Sequence, residues 1–255
     1  LSPRTSEQLR IGVLGASWIA DKALLPAINA AGSAVATVIA SRDVSRARAM
    51  ADRHGVARVA ASYEALIAHD EVDAVYIGLA NHLHREWAVK ALAAGKHVLC
   101  EKPLGMSAEE ARVMASASHA SGRLLMEAFM YRFHPRMQAL RDTADGVRFM
   151  HTGFSFALAG ADNYRWHAEL GGGALLDVGC YTLDVARWLL GTPEIVYAAM
   201  TGEAVDTSVV ALLRFAGGVV ATAWASFEGP EYQELVIVDA AGRRVIVEPF
   251  TAWHD

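Results

Sequence analysis

The sequence predicts an α/β half carrying a doubly wound parallel sheet, over residues 1–126, followed by an α+β half on a mostly antiparallel open sheet, over residues 127–255. Up to about residue 126, short β-rich runs alternate with helix-length, Ala-rich segments. Two of those runs, Val75-Tyr76-Ile77 and Val98-Leu99, are apolar on both faces, as parallel strands covered by helices on both sides must be. Beyond about Val147, longer strands follow one another with a single strong helix between them.

In the first half, Arg10 to Leu14, Ala34 to Ala40, Ala74 to Leu79, His97 to Cys100 and Arg123 to Met126 read as strands, with helices starting near Trp18, Val44, Ser62, Leu83 and Ser107. In the second half, strands are expected over 147–156, 195–200, 205–215, 219–227, 235–239 and 243–247, with the helix at 175–190. Gly217-Gly218 signals a hairpin and Ala240-Ala241-Gly242 a second turn. No repeat or Pro-rich tether separates the halves.

Composition narrows the function classes. Of 255 residues, 53% are hydrophobic and 20% charged, which excludes a disordered chain. The net charge of −5 has the wrong sign for a general nucleic-acid binder. Apolar runs such as Gly218 to Phe227 fall short of the roughly 18 residues that a spanning helix needs, so no membrane partner is expected. Leu1 to Arg10 lacks the apolar core of a secretory signal, so the expectation is a soluble cytoplasmic protein. Cys100 and Cys180 form neither a disulfide framework nor a Cys-x-x-Cys pair.

The first strand runs into Gly15-Ala16-Ser17-Trp18-Ile19-Ala20, the strand-to-helix dinucleotide pattern G-x-G-x-x-A of a Rossmann domain with Ser17 in place of the second glycine. Gly15 permits the tight turn, residue 17 must be small for the backbone to approach a pyrophosphate, and Ala20 lets helix and strand pack closely. Gly15, Ser17, Trp18 and Ile19 are therefore candidate cofactor contacts; an ordinary βα turn that binds no nucleotide fits the same residues. At the end of the second strand, Ser41 and Arg42 can form a hydroxyl-plus-guanidinium pocket for a 2′-phosphate, while Asp43 lies beyond the usual place of a ribose-binding acid and suits a helix N-cap. This favours NADP(H) over NAD(H); a solvent-facing turn is the alternative.

The fifth strand ends in Cys100-Glu101-Lys102-Pro103, at the carboxyl edge where open α/β sheets bind ligands. A second constellation follows Gly171-Gly172-Gly173: with a helix starting near Leu175, Asp177, Tyr181 and Asp184 share one face. A phenol with a reference pKa of about 10 is a poor proton carrier near neutrality, and a neighbouring ammonium brings it closer to working range. Lys102 with Tyr181 is thus a sensible proton-transfer pair, although a polar stripe facing water has the same periodicity.

The glycine loop, Glu101-Lys102-Pro103, and the glycine run followed by Asp177-x-Gly179-x-Tyr181-x-x-Asp184 together resemble the glucose-fructose oxidoreductase and inositol dehydrogenase family of NAD(P)-dependent sugar and polyol oxidoreductases. Many relatives have His where Tyr181 stands. The Tyr form, with Glu127 to Pro135, is similar to dimeric dihydrodiol dehydrogenases and NADP-dependent xylose dehydrogenases. The resemblance implies hydride exchange between nicotinamide and a sugar or vicinal-diol carbon, proton transfer assisted by Lys102 and Tyr181, and substrate orientation by Asp177. It also implies that Asn81 and His84 lie beside the cofactor, although Ala80 replaces a proline often found there, and that Arg165 reaches cofactor or substrate. Independently of the resemblance, a mostly antiparallel sheet leaves one face to be covered, so a homodimer or larger homo-oligomer is expected, with the exposed face of the second sheet as its contact.

His82 and His84 lack a carboxylate to complete a metal set, so no metal is expected. A nucleophile elbow and a Gly-Lys-Ser/Thr phosphate loop are absent from the sequence. Trp166, Trp188 and Trp224 suit core or subunit contacts better than base stacking. The family resemblance implies further chain beyond Val247, including a returning helix, for which residues 248–255 are too few, so the second domain is expected to be incomplete. Three rivals stay open: a keto-sugar reductase acting on a nucleotide-activated sugar, a regulator that binds NADP without turnover, and a structural homologue that binds no cofactor, which Ser17 alone encourages.

Overall fold

The computed structural model describes residues 8–144 and 146–251. The chain divides into two compact units between Ala128 and Phe129, two residues beyond the boundary expected from sequence, which falls inside a strand.

The first unit holds β1 (Leu9–Leu14), β2 (Ala34–Ala40), β3 (Arg58–Val59), β4 (Ala74–Ile77), β5 (His97–Cys100) and β6 (Leu125–Glu127) in one parallel sheet of order β3-β2-β1-β4-β5-β6. The order reverses between β1 and β4, which opens a crevice at their carboxyl ends. Its helices are α1 (Leu25–Ala31), α2 (Val44–His54), α3 (Tyr63–Ile67), α4 (His84–Ala93) and α5 (Ala108–Ser121). Helices α2, α3 and α5 start where a short polar side chain answers an orphan amide: Asp43 accepts from Arg46 N, Ser62 from Ala65 N and Ser107 from Glu110 N. The sheet is apolar on both faces, with Leu14, Val38, Val75 and Ile77 packed against one set of helices and Val13, Ile39 and Tyr76 against the other. The two-residue β3 was not expected.

The second unit begins with α6 (Pro135–Asp142), a helix that sequence periodicity does not announce, started by His134 as N-cap and by proline at its first position. Its sheet contains β7 (Val147–Ser155), β8 (Ile195–Thr201), β9 (Ser208–Arg214), β10 (Val220–Ser226), β11 (Tyr232–Asp239) and β12 (Arg244–Val247), in the order β12-β11-β7-β10-β9-β8. The sheet is mixed: β10 pairs with β7 in parallel and every other pair is antiparallel. One face is covered by α7 (Cys180–Leu190), which buries Tyr181, Val185 and Ala186 against Met150, Leu213, Ala221 and Leu235. β9 starts at Ser208 rather than Val205, because Asp206 is drawn off to the start of the helical segment before α7.

Candidate active site

At the exit of β1, Gly15 has φ +98°, and a Cβ there would stand 2.5 Å from the Gly78 carbonyl oxygen, so only glycine lets the loop cross the end of β4. Ser17 then opens the helix: its carbonyl accepts from Asp21 N at 3.1 Å and its Oγ from Ala20 N at 3.3 Å. The missing second glycine is thus replaced by a residue that caps one of the orphan amides. The helix passes through a π-turn at Ala20–Leu24, with Ala20 buried and Trp18 71% exposed at its start.

Beyond β2, Ser41 Oγ accepts from Asp43 N, and Asp43 is spent on the cap, taking Arg46 N and the Ser45 hydroxyl. The Ser45 hydroxyl and then the Arg46 amide hold the Asp43 carboxyl below its usual range. Arg42 is exposed at this edge. Arg46, four residues on, donates to Ala16 O at 2.9 Å and ties α2 to the glycine loop. A cavity of about 260 Å³ adjoins it, lined by Ala16, Ser17, Trp18, Arg46 and Arg53.

Beyond β4, Asn81 is 3% exposed on a 3₁₀ turn, Asn81–Leu83. His84 is fully buried, its Nδ1 2.8 Å from Pro103 O and its Nε2 3.1 Å from Leu79 O. It therefore braces the loop after β5 against the loop after β4. Burial pushes its pKa down, and the neighbouring Lys102 and His82 add to that effect. In that braced loop, Glu101 Oε1 accepts from Tyr76 OH at 2.8 Å and its Oε2 from Lys102 N at 3.3 Å. Burial raises the Glu101 carboxyl above its usual range, against the pull of Tyr76 and Lys102. The Lys102–Pro103 peptide is cis.

In the second unit, the glycine run turns the chain into a π-turn at Leu175–Gly179 and then into α7. Gly173 has φ +108°, and a Cβ there would meet Asp206 Oδ1 at 2.3 Å. Asp206 occupies that space because its Oδ2 accepts from Leu175 N at 2.6 Å, capping the helical segment. Asp177 is 4% exposed and accepts from Arg165 Nε at 2.6 Å. Burial opposes the Arg165 charge, but Asp177 outweighs it, and Tyr181 adds to the effect, so the net shift of the guanidinium is upward. Tyr181 is buried among Phe129, Tyr131 and Phe154, with its OH 3.7 Å from Met130 Sδ. The polar stripe therefore does not face water. Asp184 serves the packing instead, accepting the Tyr131 hydroxyl at 2.5 Å and both arms of Arg132.

Models of known families match twice. Residues 9–129 fit the oxidoreductase family with an NAD-binding Rossmann fold, and residues 146–243 fit the GFO/IDH/MocA C-terminal domain. The chain belongs to the GFO/IDH/MocA oxidoreductase family. The D-xylose 1-dehydrogenase (NADP(+)) 2 of Haloferax volcanii is 42% identical over 243 residues, or 92% of this chain and 74% of that protein. The trans-1,2-dihydrobenzene-1,2-diol dehydrogenase of Sus scrofa is 34% identical, over 83% of this chain and 65% of that one. Among solved structures, a 3-ketoreductase from Actinomadura kijaniata in complex with NADP and TDP-benzene superposes with a TM-score of 0.86 at 34% identity, covering 92% of this chain and 74% of that one.

In this GFO/IDH/MocA chain, the structure collects Gly15, Ser17, Trp18, Ile19, Ser41, Arg42, Asn81, Glu101 and Lys102 at the carboxyl edge of the first sheet, with His84 beneath it. Asp177, Tyr181 and Arg165 form one cluster in the second unit. Asp184, expected on the same helix face, anchors Tyr131 and Arg132. Sequence reasoning missed Arg46 and Asp206. A second arginine four residues beyond Arg42 was a usable signal for the first; nothing local signalled the second. Among the described residues, no group of three or more His, Cys, Asp or Glu side chains is placed to hold a metal, and no helix is long and apolar enough to cross a membrane.

Proposed function

We propose that the chain is an NADP(H)-dependent oxidoreductase that moves hydride between nicotinamide and a sugar or vicinal-diol carbon. Bound nicotinamide supplies the hydride chemistry. Gly15 and Ser17 hold the pyrophosphate loop at a helix N-terminus, and Ser41 and Arg42 take the 2′-phosphate. Arg46 stiffens that corner through Ala16 O. With Asp43 withdrawn into the α2 cap, it does not compete as a ribose-binding acid. Arg165 holds the Asp177 carboxyl in place to orient substrate, and Tyr181, helped by the Lys102 ammonium, takes the carbinol proton in oxidation and returns it in reduction.

The observation that carries this reading is the buried Asp177 carboxylate, paired with a partly exposed Arg165 guanidinium, beside the buried Tyr181 phenol. Apolar packing would hold a purely structural helix at lower cost than a buried carboxylate, so Asp177 with its guanidinium partner marks a site for a polar ligand. The test is titration of the protein with NADPH and NADH, followed by turnover assays with NADP⁺ and aldoses or diols. Tight, NADPH-selective binding with substrate-dependent reduction supports the reading; no binding of either cofactor overturns it. The 3-ketoreductase likeness favours a second reading, reduction of a keto sugar carried on a nucleotide. Turnover of such a substrate in preference to free sugars selects it.

A cytoplasmic homo-oligomer belongs to the same proposal. On the outer face of the second sheet, the register aligns Tyr197, Leu212, Thr222, His151, Val236 and Ile246 in one row across all six strands. Tyr197, Leu212 and Ile246 in that row are exposed. Sedimentation of Leu212→Glu beside wild type tests it, and equal masses would remove this face from the assembly.

A further inference from the structure

We infer that His82 is a cofactor-positioning residue whose Nδ1 hydrogen-bonds the nicotinamide-side ribose of the bound dinucleotide; this rests on the cofactor reading above. Strand order places β4 between β1, which carries the glycine loop, and β5, which carries Lys102. A dinucleotide laid from that loop towards Lys102 therefore passes the carboxyl end of β4. The approach is close at the first of these crossings, since a Cβ on Gly15 would stand 2.5 Å from Gly78 O and one on Gly78 would stand 2.9 Å from Ser17 Oγ. The 3₁₀ turn Asn81–Leu83 follows four residues after the end of β4.

On this turn and the start of α4 stand three residues with ring or amide nitrogens. Both ring nitrogens of His84 are engaged by the Leu79 and Pro103 carbonyls, and Asn81 is buried with a partner of its own. His82 Nδ1 is buried and has no hydrogen-bond partner among the described residues, while the side chain as a whole is only half-buried. A shielded polar atom on a side chain that still reaches the surface is what a bound polar ligand would satisfy. A ribose hydroxyl suits either tautomer, donating to the bare nitrogen or accepting from the protonated one.

The test compares NADPH and NADH affinities of wild type, His82→Phe and His82→Asn by cofactor fluorescence, with thermal melts to confirm folding. Phe removes the polar atom, and Asn keeps an amide near the Nδ1 position. The expected result is a roughly tenfold rise in Kd for both cofactors in His82→Phe, with the NADPH/NADH ratio unchanged and affinity retained in His82→Asn. A Phe variant that binds both cofactors as tightly as wild type overturns the inference. So does a loss confined to NADPH, which would assign His82 to the 2′-phosphate. Should the Phe variant not fold, the ¹⁵N resonance of His82 Nδ1, assigned by its absence from His82→Asn, decides: it shifts on adding NADPH to wild type, and a stationary signal overturns the assignment. Wild type that binds neither cofactor would instead remove the cofactor reading itself.

Discussion

The Arg165 guanidinium, itself partly exposed, reaches the buried Asp177 carboxylate at 2.6 Å at the start of the helical segment that carries Tyr181. Removing Arg165 leaves the buried Asp177 carboxylate as an uncompensated charge. Arg165→Met is therefore expected to lower unfolding stability by about 3 kcal/mol in urea titrations. Asp177→Asn, which keeps a hydrogen-bond acceptor for the guanidinium but loses the charge, should cost less stability and still impair turnover. Equal stability of Arg165→Met and wild type would show that the pair contributes nothing to the fold.

Tyr181 separates chemistry from packing. Its ring lies against Phe129, Tyr131 and Phe154, so Tyr181→Phe keeps those ring contacts and loses the hydroxyl. Turnover should fall by roughly 10²- to 10⁴-fold, the range for removing a positioned acid or base, with cofactor Kd and Tm close to wild type. Undiminished turnover would transfer the proton step to another group.

What was legible in the sequence is what local rules decide. The limits of β2 and the caps at Asp43, Ser62 and Ser107 follow from apolar runs and from short polar residues ahead of them. The glycine loop, Lys102 and the Asp177–Tyr181 spacing were visible because turn chemistry and helix periodicity span only a few residues. What was hidden depends on partners distant in sequence. The anchoring role of Asp184 was hidden because its partners, Tyr131 and Arg132, lie 53 and 52 residues away. Asp206 reads as a loop acid until it is seen capping a helix 31 residues earlier. The two-residue β3 is too short for any periodicity to register.

The 2′-phosphate corner can be divided between two guanidiniums. Arg42 is exposed at the end of β2, whereas Arg46 is tethered to Ala16 O at 2.9 Å. Arg42→Ala is expected to raise the Kd for NADPH far more than for NADH, because only NADPH carries the extra phosphate. Arg46→Ala should weaken both cofactors, since it also releases the glycine loop from α2, with the larger loss again for NADPH. Fluorescence titration gives both ratios, and equal effects of Arg42→Ala on the two cofactors would sink the 2′-phosphate assignment.

Asp21, in the π-turn after the glycine loop, makes the stability of the first unit sensitive to acid. Its Oδ1 accepts from Arg53 Nη2 at 2.8 Å and lies 2.9 Å from His54 Nε2, and these contacts, Arg53 first, lower its pKa from 3.8 to about 2. A carboxyl with a depressed folded-state pKa binds its proton more readily in the unfolded chain. Its stabilisation is therefore complete above about pH 4 and is lost as the pH falls towards 2. With Arg53 half-exposed, solvent screening reduces the effect to on the order of 1 kcal/mol. Asp21→Asn should thus melt below wild type at pH 7, and the gap should close as the pH is lowered through this window. A gap that stays constant from pH 7 to pH 2.5 would mean that the carboxylate charge contributes nothing and that the loss is one of packing alone.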